Sequence, residues 1–518
     1  MNVKTMVKKG EYHDSVSLML VARELAGLEG VHDAAVMMAT EANKSILAEA
    51  GLLTDLVGQA NANDLVISVS AQEASFAEQA LHKAEELLTR KAAAQETGEF
   101  RSRTLRGAVS SHPGANVAVI SVAGRYAVDE AWEALHQGLH VLLFSDNVPI
   151  EDEKALKEYA VQAGLLMMGA GAGTAYLNGV ALGFANAVPP GPVGIVSAAG
   201  TGLQEVSCLL AKHGVGITQG LGTGGRDLKA EIGGLMMLAS LQAIQDDPAT
   251  STIVLVSKPP DTSVAAKILE QVARGEKPMV VCFLGGEQAL VRDVPNAIFA
   301  RTLQEAALLA AQATGLSSIR PEEFLAAEDR QLREVADSLR ARLRPGQRYL
   351  RGLFSGGTLC YEAQVIWQGV LPEPVYSNAP LRIEQQLPDS THSLKHTAVD
   401  LGEEEFTVGR PHPMIDNDLR IRRLLGEAHD PEVAVVLLDL VLGYGAHPDP
   451  VSELGPAVQK ARDIAGQEGR ELIVVASVTG TRGDPQGLDN QVQALEQAGA
   501  TICESNAAAA RLAAMIVS

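Results

Sequence analysis

Large aromatic side chains are scarce in this chain of 518 residues, where Phe, Trp and Tyr together make up 4 %. With a hydrophobic share of 46 %, dominated by Ala, Leu and Val, its cores are expected to be aliphatic and close-packed. Cysteines are four in number, Cys208, Cys282, Cys360 and Cys503, with no CxxC pair and no metal-type spacing to histidine. That argues against a disulfide framework and a zinc-type cluster, and it fits reduced thiols in a cytoplasmic protein. No metal site is expected. Nor is there a run of about 18 apolar residues of the kind that crosses a membrane, and Met1–Thr5 lacks the apolar core of a secretory signal. Basic residues are outnumbered 42 to 63, giving a formal charge of −21. Such a field repels polyanions, so neither nucleic acid nor an anionic membrane is an expected partner. Small anions remain admissible, because helix N-termini and single arginines act locally.

What the sequence has is glycine, 49 residues of it, often just after an apolar run. That placement suits strand-to-helix turns, and the fold class expected is α/β: several doubly wound parallel-sheet domains, Rossmann-like and flavodoxin-like, behind a small α+β domain. Residues 1–105 alternate short strands (Val3–Val7, Asp33–Met38, Leu65–Val69) with helices (Ser15–Leu28, Glu41–Ala50, Gln72–Lys91), a ferredoxin-like or ACT-like sandwich. Residues 107–188 read βαβαβ, with all-apolar strands at Val117–Val122, Val141–Phe144 and Leu165–Met168. Pro189-Pro190-Gly191-Pro192 marks a boundary, and 191–320 forms a second doubly wound unit. A charged helical linker, Pro321–Leu343, leads to 345–518, which repeats that unit. Gly200-Thr201 followed by Glu205 is echoed by Gly357-Thr358 followed by Glu362.

Ligands of parallel sheets bind at the carboxyl ends of strands, and that rule selects the candidate residues. Ser197, Gly200, Thr201, Gly202 and Glu205 lie where a strand enters a Gly-rich turn and opens a helix, a ready anion site. Gly222, Thr223, Gly224 and Gly225 permit a backbone nest, beside which Arg226 can clamp a carboxylate or phosphate, with Asp227 placed to orient it or to cap the following helix. Gly356, Gly357 and Thr358 offer a third cradle, with Cys360 in the first turn beyond it. Lys258 follows a buried strand and can point into a crevice. His412 and Asp416, in a Pro-bounded loop, supply one base and one carboxylate. In the 107–188 domain the strand-end candidates are Gly124, Ser145, Asn147, Gly173, Thr174 and Asn178.

With these motifs the chain resembles the FdrA group of acyl-CoA-synthetase-like proteins in the succinyl-CoA synthetase superfamily. The marks are Gly194-Ile195-Val196 with Gly200–Glu205, Gly222–Leu228, Arg351–Phe354 with Gly356–Cys360, and His412-Pro413-Met414-Ile415-Asp416. The resemblance implies a CoA-binding-type domain at 107–188, with CoA a candidate ligand, followed by two ligase-type domains. For some members it implies an oxamate carbamoyltransferase subunit, handling carbamoyl phosphate or phosphate with further protein subunits. A homo-oligomer is also expected. Two departures stand out. The loop Gly285-Gly286-Glu287-Gln288-Ala289 lacks the histidine that succinyl-CoA synthetases phosphorylate, and no nucleotide-binding module is evident. Relatives carry Gly-Pro-Asp-Cys-Gly-Thr where this chain has Gly169-Ala170-Gly171-Ala172-Gly173-Thr174. The expected activity is carbamoyl transfer, with an acyl-CoA synthetase or transferase, or an assembly subunit, as alternatives.

Overall fold

The computed structural model describes residues 2–11, 15–40, 43–44, 47–48, 50–94, 102, 104–407 and 410–518. They fall into two compact units, one of residues 1–102 with 407–411 and the other of 103–406 with 412–518.

The first unit holds an antiparallel sheet of β1 (Asn2–Lys8), β2 (Val31–Met38) and β3 (Leu65–Ala71), in the order β1-β3-β2. Central β3 is buried along its whole length, and its alternation serves two faces. Leu65, Ile67, Val69 and Ala71 pack on helices Ser15–Ala26 and Ala74–Ala94, while Val66 faces Leu47, Leu52 and Val57. The small α+β domain is therefore present. Much of the helix expected over Glu41–Ala50, and part of the polar stretch Arg90–Arg106, lies outside the described residues.

The second unit contains three sheets. β4 (Val117–Ile120), β5 (His140–Leu143) and β6 (Met167–Met168) run parallel beside helices Gly124–His136 and Ile150–Gln162. Next in sequence is a hairpin, β7 (Thr174–Leu177) and β8 (Val180–Gly183), turned at Asn178-Gly179 with φ of 49° and 79°. Two consecutive positive φ values suit the tight turn that matches strand twist. The hairpin does not join the sheet that precedes it. It extends the next one, where β7 pairs antiparallel with β10.

That next sheet is built from β9 (Pro190–Ser197), β10 (Ile217–Gly222), β11 (Thr252–Ser257), β12 (Met279–Phe283) and β13 (Ala297–Phe299). Its order, β13-β12-β11-β9-β10-β7-β8, contains a parallel 2-1-3-4-5 core. The third sheet has β14 (Tyr349–Phe354), β15 (Val375–Ser377), β16 (His396–Asp400), β17 (Val433–Val441), β18 (Ile473–Thr479) and β19 (Ala500–Cys503). Its order is β15-β16-β14-β17-β18-β19, all parallel, and β16-β14-β17-β18-β19 is again 2-1-3-4-5. The halves thus share the doubly wound flavodoxin-like order, and the repeated Gly-Thr motif opens the helix after the first strand of each.

One aliphatic core cluster runs through both halves, from Ile195 and Leu203 to Leu350, Leu359 and the Ala-rich helix Asn506–Val517. The expected linker helix is observed at Pro321–Arg340 and is not a free linker. It buries Leu332, Ala336 and Leu339 in that cluster, and Arg340 Nε donates to Ile516 O at 3.2 Å.

Candidate functional site

Helices Gly200–Lys212 and Gly357–Gln368 bring their N-termini together. A Cβ on Gly356 would stand 2.8 Å from Thr201 Cγ2 and 2.9 Å from its Oγ1, and one on Gly202 would stand 3.0 Å from Thr358 Cγ2. Each turn therefore supplies a glycine that the other's threonine occupies, and only glycine permits so close an approach. Neither helix has a side-chain N-cap, so free N–H groups and the positive ends of two dipoles meet at one place. Ser197 closes the first turn, with its Oγ donating to Ala199 O at 2.6 Å and accepting from Ala199 N at 3.1 Å. Ser355 closes the second through Asp439, which accepts Ser355 N at 2.7 Å and Gly356 N at 2.8 Å. Asp439 is in turn held by the buried Arg420 at 2.9 Å.

Other predicted residues converge on this mouth. Thr174 Oγ1 lies 3.4 Å from where a Gly200 Cβ would be, although its hydroxyl donates to Phe184 O at 2.7 Å. A Cβ on Gly222 would collide with Thr174 O, one on Gly224 would come within 2.5 Å of Ala170 O, and one on Gly225 would be 3.7 Å from Ala198 O. The glycine loop thus wedges between the turns at 169–174 and 198–200. Thr223 N donates to Ser197 O at 2.8 Å. Lys258, from the carboxyl end of β11, reaches across to the second half, with Nζ 5.6 Å from the Tyr361 ring centroid.

Arg226 is fixed by a buried charge network. Its Nη2 meets Glu153 at 2.7 Å; Lys157 joins Glu153 at 2.8 Å and Asp227 at 2.9 Å. Of the two roles open to Asp227, orienting Arg226 or capping the next helix, it takes the second. It accepts Met236 N at 3.1 Å and Met237 N at 2.8 Å, capping helix Leu235–Asp246. Arg226 keeps about a third of its side chain exposed and acts on Asp146, whose carboxyl is raised by burial and by Glu404 and lowered by Arg226. Nearby backbone is close-packed: a Cβ on Gly124 would overlap the Asp146 and Asn147 carbonyls, and one on Gly173 would be 3.6 Å from Phe184. The buried Ser145 Oγ accepts from Val122 N at 3.0 Å and donates to Ile120 O at 3.4 Å, a bracing role.

Three predicted placements change, and Cys360 takes the buried position expected of a small core residue. Glu205 turns away from the anion turn, accepting from Thr479 Oγ1 at 2.5 Å and Asn506 N at 2.9 Å in the core. Asn178 sits at the far end of β7, bonded to Gln219. Asp416 accepts Asp418 N at 2.8 Å at the start of helix Asp418–Glu427. Cys360 is buried, and burial pushes its thiol well above the ordinary range, so it is no thiolate. His412 does reach the mouth. Its Nδ1 accepts Met414 N at 3.2 Å, which leaves the proton on Nε2, and that atom lies 2.9 Å from where a Gly402 Cβ would be. Burial and Arg420 hold its pKa near 4, so the ring is neutral at physiological pH.

Asp400 escaped the sequence reading. It ends β16, is 3 % exposed, and its Oδ2 would overlap any Cβ on Gly357. The local signal is faint: His396-Thr397-Ala398-Val399-Asp400 is a short strand that ends on a carboxylate just before Leu401-Gly402. Burial raises its pKa to about 7, with Lys258 opposing and Glu403 and Asp439 reinforcing.

Comparison with known proteins matches residues 1–104 to the AllF heavy metal-associated domain and residues 353–516 to the CoA-ligase domain. Residues 1–104 contain no cysteine, and no group of three or more His, Cys, Asp or Glu placed to hold a metal ion occurs among the described residues, so the residues of this domain do not fit a thiophilic ion. YahF of Escherichia coli, an uncharacterized protein, is 46 % identical over 508 residues, covering 98 % of this chain and 97 % of that one. The succinate–CoA ligase [ADP-forming] alpha subunit of Methanothermobacter thermautotrophicus is 28 % identical over 179 residues, 34 % of this chain and 58 % of its own length. The ADP-forming sulfoacetate-CoA ligase subunit SauD of Bilophila wadsworthia is 24 % identical over 193 residues, 36 % of this chain and 64 % of its own. The chain thus spans about three-fifths of these ligase subunits. Among solved structures, the dinucleotide-forming acetyl-coenzyme A synthetase 1 of Ca. Korarchaeum cryptofilum, in complex with phosphate and ADP, gives a TM-score of 0.34 at 14 % identity over 81 % of this chain and 86 % of that one. A likeness of that degree carries no argument about chemistry. No helix among the described residues is long and apolar enough to cross a membrane.

Proposed function

The chain belongs to the family of YahF, an FdrA-like group of succinyl-CoA-synthetase-like proteins, and from that premise we propose that it is a ligase-type enzyme transferring an acyl group between phosphate and CoA. The observation that supports this is the meeting of the two helix N-termini, Gly200-Thr201 and Gly357-Thr358, with Lys258 reaching in beside them. An acyl phosphate seated there would have its phosphate facing unpaired N–H groups. Attack by the CoA thiolate on the acyl carbon forms the thioester and breaks the bond to phosphate oxygen, and the charge that develops on the departing phosphate falls where both dipoles and Lys258 stabilise it. CoA would lie along the crevice above β4–β6, with Arg226 and Asn147 at its inner end.

A second reading is carbamoyl transfer to a small carboxylate-containing amide such as oxamate. The loop Gly285–Ala289 favours it, since it has no histidine to pass a phosphoryl group on, and carbamoyl phosphate arrives already activated. In that reading the amide nitrogen attacks the carbamoyl carbon, phosphate leaves into the same mouth, and Arg226 holds the acceptor's carboxylate. Either reading admits partner subunits or a homo-oligomer.

Calorimetric titration with phosphate, carbamoyl phosphate, CoA and ATP tests both. Phosphate and CoA binding, with phosphate binding abolished in Lys258→Ala, is the outcome the ligase reading requires. Carbamoyl phosphate binding without CoA selects the carbamoyl reading, and absence of any anion binding discards the mouth as the site.

A further inference from the structure

We propose that Asp400 is the proton-carrying group of this anion site, so that an anion enters the mouth only together with a proton on the Asp400 carboxyl. The inference rests on the anion-site reading above and adds the group that decides when the site can be filled.

The geometry is unusual for an anion site, because a carboxyl already stands in it. Asp400 Oδ1 accepts Gly402 N at 3.0 Å. Its Oδ2, by contrast, accepts no hydrogen bond from the described residues and lies against Gly357, the first residue of helix Gly357–Gln368. An unpartnered oxygen on a side chain 3 % exposed, aimed at a helix N-terminus, is a group held ready for something outside the protein. Ionised, it would occupy the dipole's positive end itself and repel any phosphate or carboxylate. Protonated, it becomes an O–H donor pointing where the anion would sit.

The groups around Asp400 set its titration. Lys258, from the first half, favours the charged form; Glu403, on the following turn, and Asp439, on β17, oppose it. Arg420 is committed to Asp439. His412 presents Nε2 to the same Gly402 corner and is neutral. Cys360 is kept as a thiol by burial, with Asp400 adding to the effect. Burial, the largest influence, places the carboxyl near 7. Below that value the site is ready; above it a proton must be taken up on binding, and affinity should fall about tenfold per pH unit.

Sulfate is the suitable probe, because its own charge does not change in the range tested. Its affinity for the full-length chain should be flat below about pH 7 and decline above it. Calorimetry in two buffers of different ionisation enthalpy should then show about one proton taken up per sulfate near pH 8. In Asp400→Asn, whose amide still donates, binding should persist without pH dependence or proton uptake. Wild-type sulfate binding that is level across this range, or proton uptake unchanged in Asp400→Asn, overturns the inference and leaves the anion site standing. No sulfate binding at any pH removes both.

Discussion

Replacing Gly356 by Ala tests the interlock of the two helix N-termini directly. The backbone at Gly356 has φ −110° and ψ 112°, which any residue adopts, so the cost is purely steric. The added methyl would meet Thr201 at 2.8, 2.9 and 3.0 Å from Cγ2, Oγ1 and Cβ. Neither side can yield easily: Gly356 N is anchored to Asp439 at 2.8 Å, and Thr201 is built into a buried helix. Overpacking of this kind costs about 1–3 kcal/mol, and here the upper half of that range is expected, together with loss of phosphate binding. Thr201→Gly deletes all three clashing atoms and costs about 0.3–0.5 kcal/mol on its own through helix propensity. The double variant should therefore be more stable than the sum of the single effects, by about 1–2 kcal/mol of coupling. Trp367 is buried on helix Gly357–Gln368, and the other tryptophan is Trp132. Urea unfolding followed by fluorescence in a Trp132→Phe background thus reports the half that matters. A Gly356→Ala cost under about 0.5 kcal/mol, or strictly additive effects, would refute the interlock.

Lys157→Met removes the cation shared by the buried Glu153 and Asp227, leaving Glu153 with Arg226 and Asp227 with two backbone N–H groups, and should cost about 3 kcal/mol; equal urea midpoints for variant and parent would contradict the network's role. Gly179→Ala puts a side chain at φ 79° and should destabilise by about 1 kcal/mol, with phosphate affinity unchanged because the turn is at the far end of β7. Lost affinity there would return Asn178 to the site. Glu362 accepts Leu303 N at 2.7 Å and the Asn506 amide at 2.7 Å, and burial raises its pKa from 4.5 to about 7. The folded protein then holds a proton that the unfolded chain has released, so this contribution to stability is complete below 4.5 and is lost as pH rises toward 7. Glu362→Gln should flatten that part of the stability profile, and an unchanged slope in chemical unfolding would count against it.

The glycines explain why so much of the architecture was legible. Gly200, Gly222, Gly224, Gly356 and Gly357 mark turns at strand ends because backbone, a threonine from another turn or, at Gly357, the Asp400 carboxyl fills the space of their missing side chains, and that requirement is written in the residue itself. The repeated Gly-Thr motif likewise implied two like units, and the shared 2-1-3-4-5 order bears this out. What sequence could not give is direction. Glu205 and Glu362 sit one turn into equivalent helices, where periodicity alone allows them to face either the anion turn or the core. Both face the core, because Asn506 on the last helix, some 300 and 144 positions away, supplies their partner. Asp400 shows the converse. Little in the local sequence distinguishes it from a surface carboxylate after a strand, and its surroundings are set by Gly357, Lys258 and Asp439, which come from three separate segments, as well as by nearby Glu403. The residues best read from sequence are thus those that shape backbone, and the ones missed are those whose chemistry is imposed by distant neighbours. Such neighbours set pKa values, so the group most able to control ligand binding here is also the one with the faintest local signature.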